Sequence, residues 1–359
     1  MNVIKLLSHT VKRFTKHIWI LLRQNEWRKK VRKNLNGNQP LSKEERYAAI
    51  SRFSKYHKIS PMFHQFYTQK TGVFSADYIP DDLYYCFVDP YYNNWSEASY
   101  IDNKCYYTKL FPDTKQPESI AYRMNNLWFL GNGLLSNYHD VRVLLMQEEE
   151  FFIKRAVDSD GGHGVTYIND NNRELIDDII KDISKDLIIQ KPVRQHPILA
   201  YINASSVNTI RTLSFLDENG VIIYSSILRM GIHGAKVDNA SSGGITCGIN
   251  DDGTLKATAY SATGEAYTVH PDSNTPFSDM FVPSFSKIKD MVCRLHPTLA
   301  HFRLISWDIA VGEDGEPVLI EANLHYGELD FHQLNNGPLF GEDTDKRLAE
   351  VFSIADTPV

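Results

Sequence analysis

Apolar residues recur every third or fourth position in two stretches of the chain, which is the spacing of one face of an α-helix. The first stretch spans residues 171–186, and the second spans residues 284–297, where Pro297 ends the pattern. A third helix is predicted to begin at Ser42, because Ser42 and Glu45 have the spacing of a capping box. The pattern therefore predicts helices in widely separated parts of the chain.

Short apolar runs predict strands in the remaining segments. Residues 142–157 and 187–193 each predict a single strand. Residues 208–232 predict a hairpin that turns at 217–220, and residues 307–323 predict another hairpin. Because helices and strands follow one another without a regular strand–helix–strand rhythm, we expect an α+β fold rather than a doubly wound parallel sheet.

Three polar residues interrupt the two otherwise apolar strands of the hairpin at 307–323, on either side of its polar turn. The midpoint between Asp308 and Glu321 falls inside the turn, so the two carboxylates should lie opposite each other across the strand pair. Asn323 follows two residues after Glu321 and should point to the same face. Facing like charges are destabilising unless something compensates, and a hard divalent cation with oxygen ligands would do so. The alternative is a surface face with a lone salt bridge, but the apolar surroundings favour the metal site.

A lysine on a predicted strand is followed by a glycine-rich loop. Lys154 is the lysine, and the loop contains Ser159, Gly161, Gly162 and Gly164. Glycines allow backbone N–H groups to approach phosphate oxygens closely, and a lysine supplies a positive charge. The loop is not a Walker A motif, because GxxxxGK followed by serine or threonine is absent, and an ordinary hairpin turn is the alternative.

Two arginines, Arg211 and Arg229, lie on successive strands of the hairpin predicted at 208–232. Arginine is suited to binding phosphate or carboxylate, although buried strand arginines also pair with structural acids. A loop of small residues with His233 and Lys236 follows the hairpin and could form the edge of a binding site. Together, the predicted metal site, the lysine with its glycine loop and the two arginines indicate a site for a magnesium–nucleoside triphosphate complex.

The composition limits the functional classes. The chain has 359 residues, of which 42% are hydrophobic, enough for two or three domains or subdomains. Its net charge of -6 does not favour nucleic acid as a partner. The four cysteines form no CxxC pair and no cluster with histidine, so we expect neither a metal–thiolate site nor a disulfide framework, and a reducing cytosol fits best. No apolar run is long enough to span a bilayer.

The first 36 residues depart from this average, with ten lysines and arginines and a single acid, Glu26. Apolar residues are interspersed among the charges, without the uninterrupted apolar stretch or the small-residue cleavage site of a secretory signal. The pattern favours a basic amphipathic helix that lies on an anionic membrane surface or on a partner protein. The alternative is a solvated helix that packs on the rest of the chain.

The order of these parts resembles the ATP-grasp superfamily over about residues 85–340. The most specific pieces are the hairpin with its Asp and Glu-x-Asn residues and the lysine with its glycine loop. Three phrases, SVNTIRT, HQLNNGPLF and FPDTKQPESIAYR, most resemble the sugar-transfer-associated ATP-grasp group, which is found near polysaccharide biosynthesis. The resemblance implies ATP and Mg²⁺ as cofactors.

The resemblance also implies which residues bind the phosphates. Lys104 corresponds to the first phosphate-binding lysine. Lys154 corresponds to the second and is expected to act in catalysis as well as in binding. A lid over the phosphates is expected at 158–164, and its binding residues would be Ser159, Gly161, Gly162 and Gly164.

For the nucleoside, the resemblance implies adenine contacts from a hinge at Gln190 and Lys191, and a ribose contact from Gln195. Two residues depart from the family pattern in this region. Arg155 stands where a proline usually follows the lysine, and Gln190 stands where the hinge usually begins with an acid. Neither departure touches the expected metal ligands.

For the reacting groups, Arg211 and Arg229 match the paired arginines of carboxylate–amine ligases and are expected to be catalytic. Asp308, Glu321 and Asn323 match the Mg²⁺ ligands of the final strand pair. Both assignments follow from the resemblance and agree with the side-chain chemistry described above.

The resemblance implies an ATP-grasp fold, with two α+β subdomains that grip ATP, while the residues before Tyr85 do not resemble the family's usual N-terminal domain. We expect four parts of the chain. Residues 1–84 would form a basic, mainly helical region, and residues 85–195 the first part of the ATP-grasp fold with the lid. Residues 196–345 would form the second part with the Mg²⁺ site, and residues 346–359 a tail.

The implied activity is an ATP- and Mg²⁺-dependent ligase that joins a carboxylate to an amine through an acyl phosphate, in the biosynthesis of a cell-surface polysaccharide such as capsule or O-antigen. The alternatives are a phosphotransferase on the same scaffold and a non-catalytic nucleotide-binding partner of a membrane glycosyltransferase. His233 and His325 are candidates to take a proton from the amine, with a structural role as the alternative for each. The expected location is the cytoplasm, at the inner face of the membrane if the basic region binds there.

Overall fold

The structure, a computed structural model, describes residues 2–37, 39–157, 164–183, 186–238 and 243–353. Within it the chain forms two compact units. The first consists of residues 1–92 together with residues 328–359, and the second consists of residues 93–327.

The described part of the chain contains both helices and strands, which confirms the expected α+β class. The helices are, in chain order, α1 Asn2–Arg32, α2 Lys43–Phe53, α3 Met62–Thr71, α4 Asp81–Leu83, α5 Asp89–Tyr92, α6 Trp95–Ile101, α7 Tyr107–Leu110, α8 Tyr138–Leu145, α9 Ile176–Asp182, α10 Pro197–Ile202, α11 Phe285–Leu295, α12 Leu329–Asn336 and α13 Thr344–Ser353. The strands are β1 Ser119–Met124, β2 Leu127–Leu130, β3 Leu135–Ser136, β4 Phe151–Arg155, β5 Val165–Ile168, β6 Leu187–Gln190, β7 Thr209–Asp217, β8 Gly220–Met230, β9 Ile245–Ile249, β10 Leu255–Ser261, β11 Ala266–Tyr267, β12 Leu304–Val311 and β13 Pro317–Asn323.

The first unit is built from helices α1 to α5, α12 and α13, so the prediction of a helical N-terminal region is confirmed. The predicted capping box is present at the start of α2. The Ser42 hydroxyl accepts a hydrogen bond from the Glu45 amide at 3.0 Å, and the Glu45 carboxylate accepts one from the Ser42 amide at 2.9 Å. These two bonds satisfy donors that the first turn of a helix leaves without a partner.

Ion pairs attach α1 to the rest of the first unit. Arg28 donates to the buried carboxylate of Asp82 at 2.6 Å, and Lys30 donates to Asp330 of α12 at 3.1 Å. Because Asp82 and Asp330 are both buried, their charges need these partners. The second half of α1 is therefore fixed in place by charge as well as by packing.

The second unit contains two antiparallel sheets. A six-stranded sheet has the order β3-β2-β1-β6-β4-β5, and a seven-stranded sheet has the order β11-β10-β9-β8-β7-β12-β13. The hairpin predicted at 208–232 is confirmed as β7 and β8, with Asp217 opposite Gly220 at the turn. The helix predicted at 284–297 is confirmed as α11, whose Phe285, Ile288 and Val292 are buried in the core of the seven-stranded sheet.

One prediction is only half right. Residues 142–157 do not form a single strand, because residues up to Leu145 belong to α8 and only residues 151–155 form β4. The side chain of Asn137 accepts a hydrogen bond from the Asp140 amide at 3.0 Å and caps α8. This local cap starts a helix where the apolar run alone suggested an extended chain.

The prediction for residues 171–186 also needs adjustment. The helix α9 begins at Ile176 and is preceded by a 3₁₀ turn over Arg173–Leu175, and it ends at Asp182. Ile176 and Ile180, one helical turn apart, are buried. Among the described helices, none combines the length and the apolar character that crossing a membrane requires.

Candidate active site

The hairpin of β12 and β13 places two acids side by side. Asp308 is the strand partner of Glu321, as predicted, and Ser306 is the strand partner of Asn323. The pairing shifts by one residue between Asp308 and Ile309, where the ladder is irregular. Such irregularities re-aim side chains, and here one follows directly after the acid.

Two arginines bind the carboxylate of Asp308. Arg211 lies opposite Asp308 on β7 and donates from Nε and Nη2 to its two oxygens at 2.7 and 2.6 Å. Arg229 on β8 donates from Nη1 to the second oxygen at 2.8 Å. All three side chains are buried, with 3–5% of each residue exposed. A bidentate pair of this kind is among the stronger and more specific polar contacts in proteins.

The arginines also keep Asp308 ionised. Burial alone raises the pKa of Asp308, but the guanidinium groups of Arg211 and Arg229 outweigh burial and hold the pKa well below its usual range. The sequence is compatible with two roles for the arginines, binding of a substrate and pairing with a structural acid. The acid with which they pair is the one expected to bind the metal.

Two lysines interact with the charge of Glu321. Lys104 Nζ is 2.6 Å from Glu321 Oε1, and Lys154 Nζ donates to Gln190 Oε1 at 3.2 Å. Burial and the positive charge of Lys104 lower the pKa of Lys154 to about 8, although the charge of Glu321 opposes this. A lysine with this pKa carries its charge at neutral pH and loses it in mildly alkaline solution.

The metal site predicted from the sequence can be tested by its donor chemistry. Asp308, Glu321 and Asn323 offer carboxylate and amide oxygens, which suit Mg²⁺. Asn323 donates from its amide nitrogen to the backbone oxygen of Ser306 at 3.0 Å, which fixes the orientation of the side chain. In the described part of the chain no group of three or more histidines, cysteines, aspartates or glutamates could hold a metal ion. The carboxylates of Asp308 and Glu321 and the amide of Asn323 fit Mg²⁺ because all three supply oxygen ligands. Asp308 and Glu321 are each also bonded to cationic side chains.

The two predicted hinge residues, Gln190 and Lys191, bond different partners. Gln190 bonds Lys154 at the site, whereas Lys191 forms ion pairs with Glu118 at 3.0 Å and Glu148 at 3.3 Å. Glu118, Glu148 and Lys191 line a cleft of about 600 Å³, whose lining does not include Lys154. The structure therefore brings Gln190, but not Lys191, to the cluster formed by Lys104, Lys154, Asp308 and Glu321.

Gln195 belongs to a structural network. Its amide nitrogen donates to the backbone oxygens of Asn203 and Ser206, both at 2.9 Å. Its amide oxygen accepts two hydrogen bonds from Asn208, both at 3.0 Å. These bonds use both ends of the side chain, so the structure does not bring Gln195 into the cluster. The ribose contact stays a prediction.

Most of the predicted lid lies outside the described residues, including Ser159, Gly161, Gly162 and His163. Gly164 is described, and its φ of +76° is a conformation that favours glycine. A Cβ at Gly164 would lie 2.6 Å from the side chain of Arg155, and the Gly164 carbonyl accepts a hydrogen bond from the Arg155 amide at 2.9 Å. Gly164 therefore has a backbone reason to be glycine at the end of the loop.

Two contributors were not predicted from the sequence. Asp238 lies 3.9 Å from Arg229 and accepts hydrogen bonds from the backbone amide and the hydroxyl of Thr209. Tyr107 is buried, and its hydroxyl accepts a hydrogen bond from the Ala322 amide at 3.0 Å and donates one to the Ala322 carbonyl at 3.3 Å. These bonds fix the backbone of β13 at the residue between Glu321 and Asn323. A single acid in a small-residue loop and a tyrosine in a tyrosine-rich stretch give no spacing that would mark them.

The two candidate histidines differ. His325 Nδ1 is 3.7 Å from Asp102, and His325 follows the end of β13 by two residues. His233 is exposed, and its backbone amide donates to Asp272 at 3.0 Å. Both assignments as proton acceptors stay predictions.

Comparison with known proteins gives the family. Residues 87–346 match the family described as sugar-transfer associated ATP-grasp, which is more than half of the chain. This confirms the resemblance, and the family implies the cofactors expected from the sequence, ATP and Mg²⁺. No curated sequence matches the chain significantly.

Several solved structures are similar at low identity. The ATP-grasp ligase PsnB in complex with a minimal precursor is 15% identical, with 72% of this chain and 64% of that chain covered and a TM-score of 0.40. The biotin carboxylase domain of 2-oxoglutarate carboxylase from Hydrogenobacter thermophilus is 10% identical, with 74% and 48% covered and a TM-score of 0.44. The D-alanine–D-alanine ligase from Coxiella burnetii is 9% identical, with 72% and 58% covered and a TM-score of 0.39.

This chain spans less than two thirds of each of these structures. The family assignment rests on the match of residues 87–346 and not on these similarities. The chain belongs to the sugar-transfer associated ATP-grasp family.

Proposed function

We propose that this protein is an ATP- and Mg²⁺-dependent ligase that joins a carboxylate to an amine. The observation that supports the proposal most is the row of charges across the seven-stranded sheet. In this row Arg229 and Arg211 hold Asp308 beside Glu321, which in turn bonds Lys104. A site of this kind can neutralise phosphate and carboxylate groups together, and the reaction needs no nucleophile from the protein.

In the first step, an oxygen of the substrate carboxylate attacks the γ-phosphorus of ATP. The bond between the γ-phosphorus and the bridging oxygen breaks, ADP leaves, and an acyl phosphate forms. Arg211 and Arg229 would bind the attacking carboxylate and then the acyl phosphate. Asp308 accepts three hydrogen bonds from these arginines and so fixes their guanidinium groups before the substrate arrives.

In the second step, the amine nitrogen attacks the carbonyl carbon of the acyl phosphate. The carbon–oxygen bond to phosphate breaks, orthophosphate leaves, and the amine gives up a proton. Water would compete with the amine, so a lid at 158–164, as the sequence predicts, would exclude it.

The charge of the nucleotide needs several partners. Lys104 and Lys154 would neutralise charge on the phosphates. Glu321 and Asn323, with Asp308, would hold Mg²⁺, which would supply positive charge against the phosphate groups.

We place the carboxylate or the amine in the biosynthesis of a cell-surface polysaccharide. The support for this context is the family description together with the three phrases in the sequence that resemble this group. The structure contributes a chemical constraint only, because a site with paired arginines suits an anionic acceptor.

The proposal is tested first by calorimetric titration of ATP with and without Mg²⁺, and then by a screen of carboxylate and amine pairs for orthophosphate release. Release that needs both partners is the expected result. A stable phosphorylated product without orthophosphate would instead mean a phosphotransferase. ATP binding without turnover for any pair would favour a non-catalytic partner of a glycosyltransferase.

The affinity for ATP should fall about tenfold between pH 7 and pH 9, because Lys154 has a pKa of about 8 and phosphate favours its charged form. Binding above pH 8 should therefore take up a proton. Calorimetry in buffers of different ionisation enthalpy measures both quantities. The Lys154→Arg variant is the control, since arginine stays charged and should lose this pH dependence. Equal affinity of the wild type at both pH values would contradict the prediction.

A further inference from the structure

The helix α1 has one face that packs on the first unit. On this face Gln24 and Val31 are buried, and the Trp27 ring stacks on Tyr85 with ring centroids 3.9 Å apart. Arg28, which lies beside them, forms the ion pair with Asp82. The second half of α1 is therefore attached by packing and charge along a single face.

A different face of α1 carries exposed apolar side chains. Ile18, Leu21 and Leu22 are 41%, 52% and 60% exposed, and Trp19 beside them is 38% exposed. In the sequence, the same three- or four-residue spacing continues towards the start of the helix through positions 4, 7, 11 and 14, which are Ile, Leu, Val and Phe. Where the structure describes the side chains of α1, Ile18, Leu21 and Leu22 form an apolar stripe of about one helical turn.

Positive charges are abundant in the same part of the sequence. The first 36 residues hold ten lysines and arginines against one acid, while the whole chain has a net charge of -6. Lys29 and Arg32 in the last turn of α1, and Lys33 directly after it, are exposed, and their spacing continues that of Ile18 and Leu22. The positive charge is therefore concentrated on the helix that exposes apolar residues.

We propose that α1 lies on the surface of an anionic lipid bilayer, with its apolar stripe among the acyl chains and its cations at the headgroups. The charge complementarity selects this occupant, because a helix that binds anionic lipid needs both an apolar stripe and basic residues. An amphipathic helix with an exposed tryptophan has the composition of the membrane–water interface. The proposal does not depend on the ligase activity, since α1 belongs to the first unit and the candidate active site to the second.

The test uses the full chain and sedimentation with vesicles of phosphatidylcholine, with and without phosphatidylglycerol. The wild type should bind the anionic vesicles, and salt should weaken the binding. The Leu21→Glu/Leu22→Glu variant should bind about tenfold less for each leucine replaced. The Lys29→Gln/Lys33→Gln variant should lose about fivefold for each charge removed, most clearly at low salt. The positions are exposed, so neither variant should disturb the fold.

The matched control is Val73→Glu, which replaces another exposed apolar residue of the first unit, 61% exposed, and should leave vesicle binding unchanged. Absence of wild-type binding to anionic vesicles at low salt would overturn the proposal. So would full binding by the double leucine variant, or equal binding to neutral vesicles. If light scattering instead shows a dimer that this variant dissociates, the stripe is an interface between copies of the chain, and the bilayer proposal is wrong.

Discussion

The Glu321→Gln variant should lose about 10²- to 10³-fold in turnover, because it removes one charge-assisted contact that acts where charge develops. Three effects combine. The amide is a weaker ligand for Mg²⁺ than the carboxylate, and Lys104 loses the negative charge of the group that it contacts at 2.6 Å. The pKa of Lys154 should fall further, because the charge of Glu321 raises it in the wild type. Orthophosphate release with an identified substrate pair gives the turnover.

The affinity can be measured before a substrate pair is known. Titration of ATP with Mg²⁺ should show binding about 10- to 100-fold weaker in Glu321→Gln than in the wild type. The matched control is Glu316→Gln on the same hairpin, whose carboxylate bonds the exposed Lys287 at 2.5 Å, and this variant should behave like the wild type. If Glu321→Gln binds Mg²⁺ and ATP as well as the wild type does, the assignment of the metal site is wrong.

The Asp308→Asn variant should lower the free energy of unfolding by about 3–5 kcal/mol, because two buried guanidinium groups lose their counter-charge. Asparagine has the shape of aspartate, so packing is kept, while the variant removes the charge and one of the two acceptor oxygens that Arg211 and Arg229 use. Denaturant unfolding measures it, with the midpoint read at an unchanged slope. The control is Asp345→Asn. The Asp345 carboxylate is exposed and bonds Arg52 and Lys55, so its replacement should shift the midpoint little.

The effect of Asp308→Asn on the free energy of unfolding should depend on pH. The folded-state pKa of Asp308 lies below the value of about 3.9 that aspartate has in an unfolded chain. The stability from Asp308 is therefore fully present above that value and is lost as the pH falls through the lower folded-state pKa. The difference between the wild type and Asp308→Asn should shrink in acid. A difference that stays constant down to pH 2 would mean that the carboxylate charge is not its cause.

Local chemistry was sufficient where the signal and its partner are close in sequence. The capping box of Ser42 and Glu45 could be recognised because both members lie within one helical turn. The pairing of Asp308 with Glu321 could be recognised because a hairpin makes its register symmetric about the turn. The cap at Asn137 was missed because it precedes an apolar run that also suits a strand.

Contacts between distant segments could not be predicted in this way. The sequence suggested that Arg211 and Arg229 bind a substrate or a structural acid, and it named Asp308 separately as a metal ligand. Only the strand order, which places β12 beside β7, shows that these assignments concern one cluster. The roles of Asp238 and Lys191 depend likewise on loops whose positions no local pattern sets.

The composition of the first unit has a consequence for folding during synthesis. Its residues come from both ends of the chain, and Gln333 of α12 bonds the backbone amide and carbonyl of Ile79 at 2.8 and 2.9 Å. The ribosome delivers residues 93–327 before α12, so the second unit can fold first. The contacts of the N-terminal helices with α12 form only after the ribosome has delivered α12, so this unit is completed after synthesis of the second.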